Sequence, residues 1–274
     1  MTQVNLLVFD SGIGGLGVVR EIRKLQPEAG ITYLADNAFF PYGEKPDAQL
    51  QAHILGLLGA AIEVLRPDAV VVACNTATTI ALAALRAAYA VPFIGCVPPV
   101  KPAAAASRTK NIGVLATAAT VRRAYVADLV QIYAADCTVH TLGTPTLAEL
   151  AEQKFAGATV DPSAAVAPLF TRPGGAAIDA VALGCTHYTF LLPEFVALYP
   201  DIAWFDPALP VARQTLAVTE KLSPTPRRPD LAWFTGAAPV GEAMRERLAD
   251  FGFSEVREKG KTTFCEQKVA KKLY

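Results

Sequence analysis

Ala73-Cys74-Asn75-Thr76 and Gly184-Cys185-Thr186-His187 decide how this chain is read. Each follows a short apolar run, Ala69-Val70-Val71-Val72-Ala73 in one case and Ala180-Val181-Ala182-Leu183-Gly184 in the other. Runs of this kind, β-branched in the first case, read as buried strands of a parallel sheet. The residues after the first cysteine, 77–90, are rich in alanine and leucine and read as a helix. Each cysteine therefore falls where a strand gives way to a helix, the usual place for chemistry in an open α/β sheet. Asn75 and Thr76, then Thr186 and His187, supply side chains that cap helices or bind polar groups. Two such thiols in two halves of one chain predict a cleft with sulfur on either side.

Composition narrows the class of protein. The chain has 274 residues, 52% hydrophobic and 18% charged, enough for two modest packed domains. Its 25 basic and 25 acidic side chains cancel. No basic run marks a phosphate-backbone binder, and Lys268 to Lys272 reads as a solvated helix face, so nucleic acid is not an expected main partner. The first residues lack a charged leader, no apolar stretch reads as a membrane span, and a cytoplasmic location is expected. Five widely spaced cysteines without a Cys-x-x-Cys pair argue against a disulfide framework or structural zinc.

Leu6-Leu7-Val8-Phe9 is the first strand, and Asp10-Ser11-Gly12-Ile13-Gly14-Gly15-Leu16-Gly17 the turn after it. Gly12, Gly14 and Gly17 satisfy the dinucleotide pattern G-x-G-x-x-G, and Asp36 follows the next strand where a ribose-binding acid would sit. Asp10 opposes that reading, because a carboxylate at the strand end repels a pyrophosphate. A tight glycine turn without ligand is the plain alternative. The loop Asp36 to Lys45, with Pro41-Tyr42-Gly43 at its centre, reads as a rigid loop that lines a cleft or simply turns the chain.

A helix over 47–65, the Cys74 strand and a strand over 91–95 complete the first half. Val97-Pro98-Pro99-Val100-Lys101-Pro102 breaks regular structure and marks a domain boundary. Strands over 111–115 and 138–142, helices opened by Thr117 and Thr120 and by Leu147, the Cys185 strand and Ala203-Trp204-Phe205 make the second half. A helix over 211–222 returns to the first domain, followed by a strand over 231–235 and a helix over 240–251. The predicted fold is α/β, with two doubly wound, pseudo-symmetric open-sheet domains facing each other across a cleft. Residues 1–97 plus 211–274 form one and 98–210 the other.

A thiol acts as base or acid when a helix N-terminus or basic neighbour tunes it. His187, two residues from Cys185, can exchange a proton with it, and Glu152 can orient that histidine. Asp10 can serve Cys74 in the same way. A Cys/His hydrolase leaves the second cysteine unexplained, and Cys-x-His is not a usual zinc spacing. Buried cysteines capping helices remain the plain reading for either one alone. Cys96, Cys137 and Cys265 read as packing residues, His53 as a helix-face residue and His140 as a strand residue.

Phe9-Asp10-Ser11-Gly12-Ile13-Gly14-Gly15-Leu16, Pro41-Tyr42-Gly43, Ala73-Cys74-Asn75-Thr76-Ala77 and Gly184-Cys185-Thr186-His187-Tyr188 closely resemble, in order and spacing, the signature segments of the glutamate racemase family. The resemblance implies racemisation of glutamate without pyridoxal phosphate or metal, one cysteine thiolate removing the α-proton and the other delivering a proton to the opposite face. By position, Asp10 would assist Cys74, and His187 and Glu152 would assist Cys185, with Glu149 the nearby rival of Glu152. Ser11, the Pro41-Tyr42-Gly43 backbone, Asn75, Thr76, Thr117, Thr120 and Thr186 would hold the substrate. Thr78, Thr189 and Pro207 depart from the family's usual residues. The segment 97–102 resembles a subset in which a peptidoglycan precursor activates the enzyme. The expected role is supply of D-glutamate to the cell wall by a homodimer. An aspartate racemase and a non-catalytic amino-acid-binding protein are the alternatives.

Overall fold

The computed structural model describes residues 2–236 and 242–258. Twelve strands follow one another along these residues: β1 Thr2–Gln3, β2 Asn5–Asp10, β3 Gly30–Ala35, β4 Ala69–Val72, β5 Phe93–Gly95, β6 Asn111–Ala116, β7 Thr138–Gly143, β8 Ala180–Gly184, β9 Ala203–Phe205, β10 Thr225–Pro226, β11 Leu231–Phe234 and β12 Glu255–Glu258. They form a parallel six-stranded sheet, β12-β11-β3-β2-β4-β5, and a parallel four-stranded sheet, β7-β6-β8-β9. β1 and β10 make a separate antiparallel pair.

The two sheets share one winding. In each half the first strand lies between the second and the third, with the fourth outside: β3-β2-β4-β5 and β7-β6-β8-β9. Such an order leaves a crevice at the carboxyl ends of the first and third strands, where helices leave toward opposite faces. In the first half that crevice falls between Asp10, ending β2, and Cys74, just past β4. In the second it falls between Thr117, after β6, and Cys185, after β8.

Strand alternation explains the burial. Leu6 and Val8 face the helices Leu16–Leu25, Ala208–Thr219 and Glu242–Asp250, whereas Leu7 and Phe9 face the helices Asp47–Leu65 and Asn75–Ala88. With both faces covered, every residue of β2, β4 and β8 is buried, which is why those strands read as continuous apolar runs. The 19-residue helix Asp47–Leu65 is long and apolar enough to cross a bilayer, yet Leu50, Ile54, Leu57, Leu58, Ala60 and Ala61 are buried in the protein core. It is the core helix of a packed sheet.

Several elements differ from expectation. The break at 97–102 is shorter than predicted, because a helix, Val100–Ala106, begins inside it. Pro102 sits in its first turn, where no intrahelical N–H bond is lost. A 3-10 helix, Thr186–Leu191, follows Cys185 in place of an α-helix, and the α-helix Leu192–Leu198 starts only at Leu192, with Pro193 in its first turn. Pro193 lacks the N–H that an earlier α-turn would need. The helix Ser163–Thr171 is hidden from the periodicity by its internal Pro168, and β12 by its alternating charges. Cys265, Lys268 to Lys272 and the start of the 240–251 helix lie outside the described residues.

Leu7, fully buried at the centre of the larger sheet, sets a stability test. Leu7→Ala is expected to cost about 2–5 kcal/mol through lost burial and a residual cavity, read as a lower midpoint in urea unfolding.

Candidate active site

Cys74 ends the buried run of β4 and N-caps the helix Asn75–Ala88, its Sγ accepting the Ala77 N–H at 3.5 Å. Ser11 stands between this thiol and Asp10, with Oγ 3.7 Å from Cys74 Sγ and 3.5 Å from Asp10 Oδ1. Burial pushes the Cys74 thiol well up, and the Asp10 charge adds to that. The capping N–H works the other way, favouring the thiolate. Cys74 therefore rests as a thiol.

Cys185 makes no cap of its own. Its Sγ lies 3.9 Å from His187 Nδ1, and His187 Nε2 lies 2.9 Å from Glu152 Oε1. Asp10 Oδ1 is 4.0 Å from His187 Nδ1. Burial alone would lower the His187 pKa, but its contacts with Cys185 and Glu152 and the Asp10 charge outweigh it and hold the ring well above its ordinary range. An imidazolium with both nitrogens engaged results. Asp10 is pushed up by burial, opposed by His187, the Gly12 N–H and the Thr186 hydroxyl. Glu149 is exposed, so of the two carboxylates Glu152 is the one that meets the histidine.

The two halves meet through these groups. Thr186 donates to Asp10 Oδ2 at 2.9 Å, and the Ile13 N–H donates to Glu152 Oε1 at 2.9 Å. Thr76 Oγ1 lies 3.3 Å from both Thr117 Oγ1 and Thr120 Oγ1. Arg123 pairs with Asp47 at 2.7 Å. Gly12 and Gly14 permit the approach: a Cβ on Gly12 would overlap Glu152 Oε1, and one on Gly14 would lie 2.5 Å from His187 Nδ1 and 2.6 Å from Thr186 Oγ1. A Cβ on Gly17 would press Thr189 at 3.1 Å. The G-x-G-x-x-G pattern is thus explained by protein, with the opposite half of the chain filling the space expected for a phosphate.

Ser11, Pro41, Tyr42, Gly43, Cys74, Asn75, Thr76, Thr117, Cys185 and His187 line one cavity. Asp10, Glu152, Thr120 and Thr186 stand behind that wall and hold it. Phe40 and Ala148 also line the cavity and were not singled out from sequence. Phe40, in the loop already suspected, packs its ring 5.5 Å from the His187 ring, but a small alanine on a helix carries no signal. The space admits the centre of a water-sized sphere over about 20 Å³, close to the least that holds one water. Among the described residues, both amide atoms of buried Asn75 lack a hydrogen-bond partner. Buried amides are costly unless paired, so a partner from solvent or a ligand is expected here.

The departures at Thr78 and Thr189 are accommodated. Thr78 Oγ1 donates to Val72 O and accepts the Cys96 N–H, each at 3.0 Å, and Thr189 donates to Asp206. Pro207 caps the helix Ala208–Thr219 that packs on the first sheet.

Residues 17–215 match the Asp/Glu/Hydantoin racemase family, and the chain belongs to it. It is 51% identical over 218 residues to a glutamate racemase of Granulibacter bethesdensis, covering 79% of each chain. It is 45% identical over 218 residues to a glutamate racemase of Brucella anthropi, covering 78% of each. Among solved structures, Escherichia coli glutamate racemase in complex with L-glutamate and the activator UDP-MurNAc-Ala superposes with a TM-score of 0.87. That pair is 34% identical, over 93% of this chain and 98% of the other.

The His187 environment sets a titration test. A histidine that holds its proton more tightly when folded adds stability that is full below its unfolded pKa, about 6.5, and lost as pH rises through the raised folded value. In ¹⁵N NMR, His187 is expected to stay protonated well above the ordinary range, and Glu152→Gln to lower its pKa. A wild-type His187 titrating in the ordinary range would contradict the imidazolium assignment.

Proposed function

We propose that this member of the racemase family interconverts L- and D-glutamate by proton transfer at two cysteines, and that it supplies D-glutamate for peptidoglycan in the cytoplasm. The observation that carries the reading is one cavity lined by both Cys74 and Cys185, each thiol at the carboxyl end of the third strand of its own half. Racemisation needs a proton removed from one face of the α-carbon and returned to the other, and two thiols from opposite walls supply that pair. The named activities of the curated relatives, 45–51% identical over most of the chain, favour glutamate over aspartate.

The residues divide the work as follows. Cys185 exchanges its proton with the His187 ring, which Glu152 holds in place. Cys74 starts as a thiol and donates in one direction. In the other it must ionise, and the ammonium of a bound amino acid supplies the nearby positive charge that offsets burial and Asp10. Among the described residues, no lysine or arginine lines the cavity. Substrate carboxylates are bound instead by the Asn75 amide, the hydroxyls of Ser11, Thr76 and Thr117, and N–H groups at the start of the helix Asn75–Ala88. Such fixed dipoles, buried from water, also stabilise the carbanionic charge that develops at an α-carbon.

The test is proton NMR of L- and D-glutamate in D₂O, with optical rotation followed in parallel. Both enantiomers should lose the α-proton signal, and rotation should decay to zero. Cys74→Ala and Cys185→Ala should each cut racemisation by about 10²–10⁴-fold, the usual worth of a positioned acid or base. Exchange with aspartate alone would reassign the substrate. Binding without exchange in folded, reduced protein would make the chain a binding protein.

A further inference from the structure

With the glycines explained by His187, Thr186 and Thr189, Asp36 is left without a role from the sequence pattern. It is 1% exposed at the end of β3. Its carboxylate is held by the Tyr42 hydroxyl at 2.5 Å and by His53 Nε2 at 2.6 Å, both on Oδ2, and by the Thr235 hydroxyl at 2.6 Å on Oδ1. Each partner comes from a different element: Tyr42 from the 3-10 turn Tyr42–Glu44, His53 from the helix Asp47–Leu65, and Thr235 from the end of β11. A buried carboxylate with this many donors is compensated and fixed in orientation.

The same cluster grips the loop that walls the cavity. Phe39 stacks on the His53 ring at 4.1 Å and meets Tyr42 edge-on at 6.4 Å. The Tyr42 ring is buried, and burial together with the Asp36 charge raises its phenol pKa, so it remains a hydrogen-bond donor. Pro41, Tyr42 and Gly43 line the cavity beside Cys74 and Thr117, whereas Asp36 and His53 do not reach it.

We propose that Asp36 and His53 are positioning residues for racemisation: through the Tyr42 hydroxyl they set the Pro41-Tyr42-Gly43 backbone against the Cys74 wall, where it receives a substrate carboxylate. The inference rests on the racemase reading given above. Removing the His53 donor leaves Asp36 Oδ2 to Tyr42 alone, and the loop shifts. A contact made equally in ground and transition states is then weakened, which raises KM and spares kcat.

The experiment compares His53→Ala with His53→Gln, whose amide restores an N–H donor near the Nε2 position. His53 lies on a helix with its side chain 28% exposed, and both replacements are good helix formers. His53→Ala should raise KM for both enantiomers about tenfold with kcat nearly unchanged, and His53→Gln should recover most of it. Amide hydrogen exchange gives a readout independent of turnover: the Glu44 and Lys45 N–H groups, bonded to Pro41 O and Tyr42 O, should exchange faster in His53→Ala and slow again in His53→Gln. Unchanged KM, unchanged amide exchange, or a glutamine variant no better than the alanine would overturn the proposal. A wild-type protein that exchanges no α-proton would instead refute the racemase reading, while amide exchange still reports whether His53 holds the loop.

Discussion

The site depends on how closely the turn at Thr186–His187 approaches the turn at Gly12–Gly14. A methyl group on either glycine would occupy space taken by Glu152, His187 or Thr186. Because that space is free of side chain, the backbone N–H of Ile13 reaches Glu152 and the carboxylate of Asp10 reaches Thr186 and His187. The two halves are thus joined through the groups placed beside the thiols.

Winding order then places the sulfurs. Each half repeats the same four-strand order, and each cysteine follows the third strand, where the sheet's own crevice lies. The environments of the two thiols are nonetheless different. Cys74 caps a helix and has Asp10 behind Ser11, whereas Cys185 caps nothing and has a charged histidine beside it. At Cys74 burial opposes charge, and the capping Ala77 N–H works against it. Beside His187 and the two thiols, the cavity is lined by the neutral hydroxyls of Ser11, Thr76 and Thr117 and the amide of Asn75, fixed dipoles suited to an anion.

Much of this was legible in the residues. Period and composition gave both cores, since β2, β4 and β8 are buried on two faces and carry unbroken apolar runs. Elements at the edge were less legible: β12 alternates charge, and the helix Ser163–Thr171 contains a proline. Cys74, Cys185, His187, Glu152 and Asp10 could be singled out by side-chain chemistry next to strand ends. Asp36 and His53 could not be connected, because 17 residues separate them and neither spacing nor periodicity encodes their contact.

Local sequence by itself determined where strands end, which helices follow, and which titratable side chains stand at those ends. These properties depend on neighbours within a few residues, through alternation, capping and the missing N–H of proline. Only tertiary structure decided what each group faces. The glycine pattern that suggests a phosphate turn makes room for a histidine from the other half. Asp10, expected beside Cys74, also binds Thr186 at 2.9 Å, 176 residues away in sequence. Contacts of that range follow from how the two sheets pack against one another, and no local pattern of residues carries that information.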